Sequence, residues 1–125
     1  MEQHLERRKR YLHTHIAGFT FWEGCIAFEC LKIGTSLKLV READNRHDDE
    51  AVALYYEDMK LGYIPRLNNS TISKLMDMGY DDIFEVRVCG IDATASPEDQ
   101  VKINIYIKQK NDYEKRERKP TNSNS

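Results

Sequence analysis

The strictest pattern in this sequence is the alternation of apolar and polar residues near its carboxyl end. Val101, Ile103, Ile105 and Ile107 occupy every second position, with polar or amphipathic side chains between them. Successive side chains of a β-strand point to opposite faces, so this pattern predicts a half-buried strand. The chain is therefore constrained to build a sheet with one apolar face.

Shorter runs of the same period predict five more strands, at Tyr11–Gly18, Ser36–Arg41, Ala51–Tyr56, Lys60–Ile64 and Phe84–Cys89. One segment changes to the helical period and predicts a helix over 70–78, with Asn69 or Ser70 at its start and Gly79 at its exit. A weaker helical pattern covers 26–31. We expect a mainly β, α+β fold with one or two short helices, arranged as a small six-stranded OB/SH3-like barrel that is closed or nearly closed.

Charge divides the chain into three parts. The formal net charge is −2, while residues 1–10 and 109–119 each carry +2, so the centre is −6. We predict a basic extension over 1–10, one barrel domain over 11–108 and a polar, disordered tail over 109–125. A globally basic nucleic-acid binder is excluded, and any phosphate contact must be local or supplied by the ends.

The sequence carries no sign of export, membrane insertion or cofactor binding. It has three cysteines without a CxxC pair, which favours a reducing compartment. No apolar run approaches the roughly 20 residues of a membrane span, and no apolar run follows the basic N-terminus. We expect a cytoplasmic protein with no membrane contact and no cofactor.

The most informative polar run lies between two predicted strands, at residues 42–50. Asp44, Asn45 and Asp48 are of the types that fold back onto nearby amides, so a well-capped turn is the first interpretation. Clustered carboxylates also allow a divalent ion and metal-dependent phosphoryl transfer, with His47 beside them. The ligand spacing of an EF-hand is absent, and we predict no metal site and no enzyme activity, ranking that activity third among the functions.

A second informative run ends the first predicted strand. Gly18 allows close backbone approach, and Phe19, Phe21 and Trp22 follow within four residues. Packing accounts for one or two of these rings, so at least one is expected to be exposed or to line a cleft. A base stacked on such a ring contributes ~1–3 kcal/mol. From the residues alone, stacking and packing are equally good interpretations for Trp22.

Three runs taken together resemble the HIRAN domain. They are His15-Ile16-Ala17-Gly18-Phe19, the segment Leu37 to Val52 with its core READNRHDDEAV, and Leu61-Gly62-Tyr63-Ile64-Pro65-Arg66. The resemblance covers roughly residues 12–92, with 101–108 as a plausible last strand. It implies a modified small barrel that binds single-stranded DNA at a free 3′ end.

Carried over by position, the resemblance implies a nucleic-acid-binding pocket. Phe21 and Trp22 match rings that stack on the terminal bases, and Asp48 matches the carboxylate that accepts from the 3′-hydroxyl. The remaining implied contacts are Gly18 through its backbone, Asp44 and Asn45 beside the carboxylate, and Tyr63 and Arg66 near the terminal nucleotide and its phosphate.

The leading hypothesis is therefore a non-enzymatic module that holds a single-stranded DNA end, with a DNA-processing protein as a further candidate partner. The alternative is a protein-interaction module in which Trp22 and Tyr63 hold an extended peptide in an aromatic cleft. The acidic centre of the chain would suit a basic partner.

Overall fold

The structure, a computed structural model, describes residues 7–19 and 24–109. Within them lie six strands and two α-helices: β1 Arg8–His15, α1 Gly24–Ala27, β2 Ser36–Arg41, β3 Val52–Tyr56, β4 Met59–Tyr63, α2 Ser70–Asp77, β5 Phe84–Ile91 and β6 Val101–Lys108. Single turns of 3-10 helix occur at Phe28–Cys30, Arg66–Asn68, Asp81–Ile83 and Pro97–Asp99.

The six strands form one sheet in the order β1-β6-β5-β2-β3-β4, and every pairing is antiparallel. Beyond the end of β1, Ala17 forms an isolated bridge with Tyr63 on β4. The two edge strands therefore meet at one point without a continuous ladder, and the sheet is not closed into a barrel. The predicted mainly β, OB-like class is confirmed.

The core lies on the face of the sheet marked by the strict alternation in the sequence. Val101, Ile103 and Ile105 of β6 are buried, and Val86 and Val88 of β5 pack in the same cluster. β6 has the predicted bounds. Its neighbour β1 starts at Arg8, earlier than predicted, because its polar first residues pair with the end of β6 without being buried.

Helix α2 lies near its predicted position and closes one side of the core. Ile72 is buried, and Leu75 and Met76 pack against the core. Gly79 has φ +92, its amide donates to Met76 O, and the next amide donates to Leu75 O. This is the glycine-dependent C-terminal motif that the sequence predicted. Asn69 occupies the N-cap position, but its side chain makes no cap bond.

No helix in the two described ranges is long and apolar enough to cross a membrane.

The predicted barrel boundaries at 11 and 108 remain an expectation. Residues 1–6 and 110–125, which make up most of the predicted extension and tail, lie outside the described residues.

Candidate functional site

The polar loop between β2 and β3 is shaped by side chains that bind its own backbone. Asn45 Oδ1 accepts from the amides of His47 (2.8 Å) and Asp48 (3.1 Å). Asp48 Oδ1 accepts from the Glu50 amide at 2.9 Å. These are the local turn bonds that the residue types indicated. They fix the direction of the Asp48 carboxylate relative to β2 and β3.

The second oxygen of Asp48 faces distant parts of the chain. Asn69 Nδ2 donates to Oδ2 at 2.9 Å, and Arg66 Nε lies 3.5 Å from the same oxygen. Burial acts to raise the pKa of Asp48, but the Glu50 amide, Asn69 and Arg66 outweigh it and hold that pKa below its usual value. The carboxylate is therefore ionised at neutral pH and acts only as an acceptor.

Arg66 adds a cation beside this carboxylate. It begins a 3-10 turn directly after Pro65, and its side chain is 68% exposed. One guanidinium nitrogen donates to the His47 carbonyl, which ties the turn to the loop. A guanidinium has five donors, so much of its capacity still faces solvent, where a phosphate can approach it.

Tyr63 stands at the other end of the site in a compact ionic group. Its hydroxyl donates to Glu42 Oε1 and accepts from Lys60 Nζ, both at 2.8 Å. Lys60 Nζ also lies 2.7 Å from Glu42 Oε2, and Asn45 Nδ2 lies 3.4 Å from the Tyr63 hydroxyl. The tyrosine is thereby joined to the polar loop.

Burial and charge set the ionisation of this group. Burial raises the pKa of the Tyr63 hydroxyl, and the bond to Glu42 adds to the rise. Burial acts to raise the pKa of Glu42 too, but bonds from Lys60, Asn45 and Tyr63 outweigh it and lower that pKa. At neutral pH the group therefore holds a carboxylate, an ammonium and a neutral phenol.

Gly18 directly follows the residue that pairs with Tyr63. The preceding Ala17 exchanges both backbone hydrogen bonds with Tyr63, at 2.8 and 2.9 Å, and Gly18 then turns away with φ +71. Gly62 makes this approach possible, since a Cβ there would stand 2.3 Å from the Ala17 carbonyl oxygen.

The structure brings five of the eight predicted site residues into one connected region. Hydrogen bonds and ion pairs link Asn45 to Tyr63 and Asp48 to Arg66, and Gly18 adjoins the Ala17–Tyr63 bridge. Asp44 lies exposed in the same loop. Phe21 and Trp22 lie outside the described residues, so their stacking role stays a prediction.

Three residues of the site were missed at the sequence level. Asn69, only 2% exposed, supports Asp48, and Glu42 and Lys60 hold Tyr63. Lys60 and Tyr63 lie three residues apart on a predicted strand, which gave no hint that they meet. A helix-capping role was the natural interpretation of Asn69, and it hid the contact with Asp48.

The carboxylates of the loop do not gather around a common point. Asp48 faces Asn69 and Arg66, whereas Glu50 accepts from Lys74 at 3.0 Å and Ser70 at 3.2 Å. Across 7–19 and 24–109, no three His, Cys, Asp or Glu side chains are placed to hold a metal ion. The described loop thus presents two separate carboxylates, Asp48 beside Arg66 and Glu50 beside Lys74, instead of a shared metal cage.

A family model for the HIRAN domain matches residues 9–110 of this sequence. The chain belongs to the HIRAN domain family. HIRAN domains are nucleic-acid-binding modules, so this chain carries a binding fold of that class. The match extends from β1 to the end of β6.

Two solved structures share this HIRAN fold. A Lactobacillus plantarum protein solved by a structural genomics consortium superimposes with a TM-score of 0.69 at 23% identity, covering 85% of this chain and 100% of that one. The HIRAN domain of human HLTF gives a TM-score of 0.59 at 13% identity, covering 84% of this chain and 82% of that one. A comparison with curated proteins finds no match.

Proposed function

We propose that this HIRAN domain holds single-stranded DNA at a free 3′-hydroxyl end. The observation that carries the proposal is the pairing of an ionised Asp48 with the exposed cation of Arg66, at 3.5 Å. The carboxylate accepts the terminal hydroxyl, and the guanidinium meets the neighbouring phosphate. Both belong to the loop and turn whose sequence resembles the end-binding members of the family.

The chemistry of Asp48 favours one kind of end. Oδ1 accepts one bond, from the Glu50 amide, and keeps a lone pair for a further donor, whereas Oδ2 already faces Asn69 and Arg66. A 3′-hydroxyl supplies that donor, whereas a 3′-phosphate or a continuing strand brings negative charge against the carboxylate. Hydrogen bonds to charged groups contribute about 1.5–3 kcal/mol, which corresponds to a preference of roughly tenfold or more.

Gly18 and Tyr63 complete the proposed cleft. The Gly18 backbone offers a contact without a side chain in the way, and the Tyr63 hydroxyl is oriented by Glu42 and Lys60. Phe21 and Trp22 would supply stacking surfaces for the last bases. Asp44 and Asn45 would shape the polar side of the cleft, Asn45 through the turn bonds that orient Asp48.

The test compares short 5′-labelled thymidine strands that end in a 3′-hydroxyl or a 3′-phosphate, measured by fluorescence anisotropy at low salt. We expect the wild-type chain to prefer the hydroxyl end by about tenfold or more. Asp48→Asn keeps the side-chain shape but removes the charge, so the preference should fall to near one. Asp49→Asn is the matched control, because Asp49 is exposed in the same loop and should leave the preference intact.

Equal wild-type affinity for the two ends would overturn end recognition. The peptide-binding alternative makes a different prediction, since a domain that holds a peptide with Trp22 and Tyr63 binds neither strand tightly. In that case Asp48→Asn would leave partner binding unchanged.

A further inference from the structure

We propose that the outer face of the β1-β6-β5 sheet is a second, sequence-independent surface that binds the phosphate backbone of the same DNA strand. This proposal rests on the nucleic-acid partner named above but not on recognition of its end. We call this surface the basic face. Its charged members are Arg8, Arg10, Glu85, Arg87, Lys102 and Lys108.

The strand register places these side chains together. Ile103, Ile105 and Val101 of β6 point into the core, so Lys102 and Lys108 lie on the opposite side of the sheet. Across the ladder, Arg8 pairs with Lys108 and Arg10 with Tyr106. Arg87 on β5 pairs with Asn104, which lies on the same outer side.

Contacts between side chains confirm that the three strands share this face. Arg8 Nη1 lies 2.8 Å from Glu85 Oε2, so it reaches across β6 from β1 to β5. Arg87 Nε lies 2.7 Å from the same oxygen. His13 lies 2.9 Å from Asn104 and 3.5 Å from Cys89, which links the three strands again further along.

The charge of the basic face is opposite to that of the chain. It carries five cations and one carboxylate, whereas residues 11–108 as a whole carry −6. Asp99 approaches its margin, 3.7 Å from Lys102. The side chains of Arg8, Arg87 and Lys102 are 41%, 41% and 38% exposed. The fold has therefore separated positive from negative charge, which creates a local field that attracts a polyanion.

The residue types favour a phosphate backbone over bases. Arg8 lies over the Tyr106 ring, with its guanidinium carbon 3.8 Å from the ring centroid, so that ring is covered and offers no open platform for a base. Three of the five cations are arginines, whose planar forks match phosphate oxygens. Lys102 and Lys108 are six residues apart on β6, about 20 Å at the rise of a strand. The basic face thus fits several consecutive phosphates and reads no sequence.

The test measures how affinity depends on salt. The variant Arg10→Gln/Lys102→Gln/Lys108→Gln removes three cations from the basic face and spares the Arg8–Glu85–Arg87 cluster. Its control is Arg7→Gln/Lys9→Gln/Lys32→Gln, which removes the same charge at exposed positions that are not members of the basic face. Lys9 precedes Arg10 on β1 but pairs with Ile107, and the side chains of this pair lie on the side of the sheet opposite to the basic face.

The ligands are a thymidine strand of about 16 nucleotides that ends in a 3′-phosphate and one of about four nucleotides that ends in a 3′-hydroxyl. For single strands, the slope of log K against log salt becomes less steep by about 0.7 for each phosphate contact that is removed. For the long strand, we expect the basic-face variant to reduce the magnitude of this negative slope by about 2. The preference of the short strand for a 3′-hydroxyl should stay unchanged. The control should reduce the magnitude of the slope by less than half as much.

Equal slopes for the two triple variants would overturn the basic face, whether or not the short strand still shows the 3′-hydroxyl preference. If the wild-type chain shows no preference for a 3′-hydroxyl but the two triple variants still differ in slope, end recognition alone is overturned. Polyglutamate tests the other class of polyanion. If it displaces the long strand from the wild-type chain as well as unlabelled DNA of equal charge does, the basic face is a surface for acidic protein segments and the proposal is wrong.

Discussion

Single residues of the site owe their chemistry to neighbours from distant parts of the sequence. The pKa of Asp48 lies below its usual value because a local amide, Asn69 and Arg66 all face its carboxylate. The Tyr63 hydroxyl is held between Glu42 and Lys60 and can turn only at the cost of those bonds. The same dependence applies to Gly62, whose lack of a side chain lets Ala17 bond to Tyr63.

Gly62→Ala should destabilise the fold strongly. Gly62 has φ +153, and an added Cβ would stand 2.3 Å from Ala17 O and 2.8 Å from an Ile16 methyl group. Backbone strain and overpacking each cost about 1–3 kcal/mol, so we expect a loss of roughly 3 kcal/mol in the free energy of unfolding. Urea denaturation followed by circular dichroism measures it.

Gly90→Ala is the control for this substitution. Its added Cβ would meet only the Lys102 side chain, at 3.3 Å, and it needs no left-handed backbone. We expect a change below about 1 kcal/mol. Equal losses for the two alanine variants would show that close approach at Gly62 does not govern stability.

At the scale of elements, helix α2 is the support of the polar loop. Ser70 and Lys74 bind Glu50, and Asp77 accepts two bonds from Arg41, at 2.8 and 3.1 Å. The Arg41 guanidinium also donates to the carbonyls of Ala51 and Asp49. One arginine at the end of β2 therefore ties the loop to the helix.

Arg41→Lys should loosen this loop while leaving the sheet in place. A lysine ammonium cannot reproduce the planar fork that serves two carbonyls and a carboxylate together. Losing such bonds costs about 1–3 kcal/mol, and every 1.4 kcal/mol is tenfold in an opening equilibrium. We expect hydrogen exchange at residues 45–51 to accelerate by about tenfold or more, as read by NMR.

The variant Asp77→Asn distinguishes the contribution of the Arg41–Asp77 ion pair from that of the bonds between Arg41 and the two loop carbonyls. It weakens only the link to α2, so its acceleration of exchange in the loop should be smaller than that of Arg41→Lys. Unchanged exchange over 45–51 in Arg41→Lys would contradict a supporting role for this side chain.

At the scale of the whole molecule, the sheet brings opposite charges to different surfaces. The Ala17–Tyr63 bridge joins the two edge strands near the polar loop, and the outer face of β1, β6 and β5 collects cations. The acidic average of the chain is therefore a poor guide to what any one surface binds. Glu42 and Asp48, whose pKa values are lowered, belong to the site at the bridge and make the stability of the whole fold dependent on pH.

The free energy of unfolding should fall in acid. The pKa values of Glu42 and Asp48 lie below their usual values, about 4 in an unfolded chain. The unfolded state then binds more protons, so stability is fully present above about pH 5 and is lost as pH falls through the folded values. Urea midpoints measured between neutral pH and about pH 3 test this, and Glu42→Gln should give a shallower fall.

Glu98→Gln serves as the control, because Glu98 is exposed in the loop before β6 and should leave the acid profile unchanged. A profile for Glu42→Gln that coincides with that of the wild-type chain would contradict the assigned role of Glu42.

The sequence by itself determined the elements whose signal is local. Alternation gave β6 its bounds, the helical period and Gly79 gave α2 nearly its bounds, and the residue types of the loop indicated the turn bonds of Asn45 and Asp48. Each depends on neighbours within a few positions along the chain. Only the tertiary structure decided that Asn69 faces Asp48, that Lys60 and Glu42 hold Tyr63, and that basic residues of β1, β5 and β6 share one face. The reason is that antiparallel register, set by the burial of the core, chooses which distant polar groups become neighbours, and no local period in the sequence carries that information.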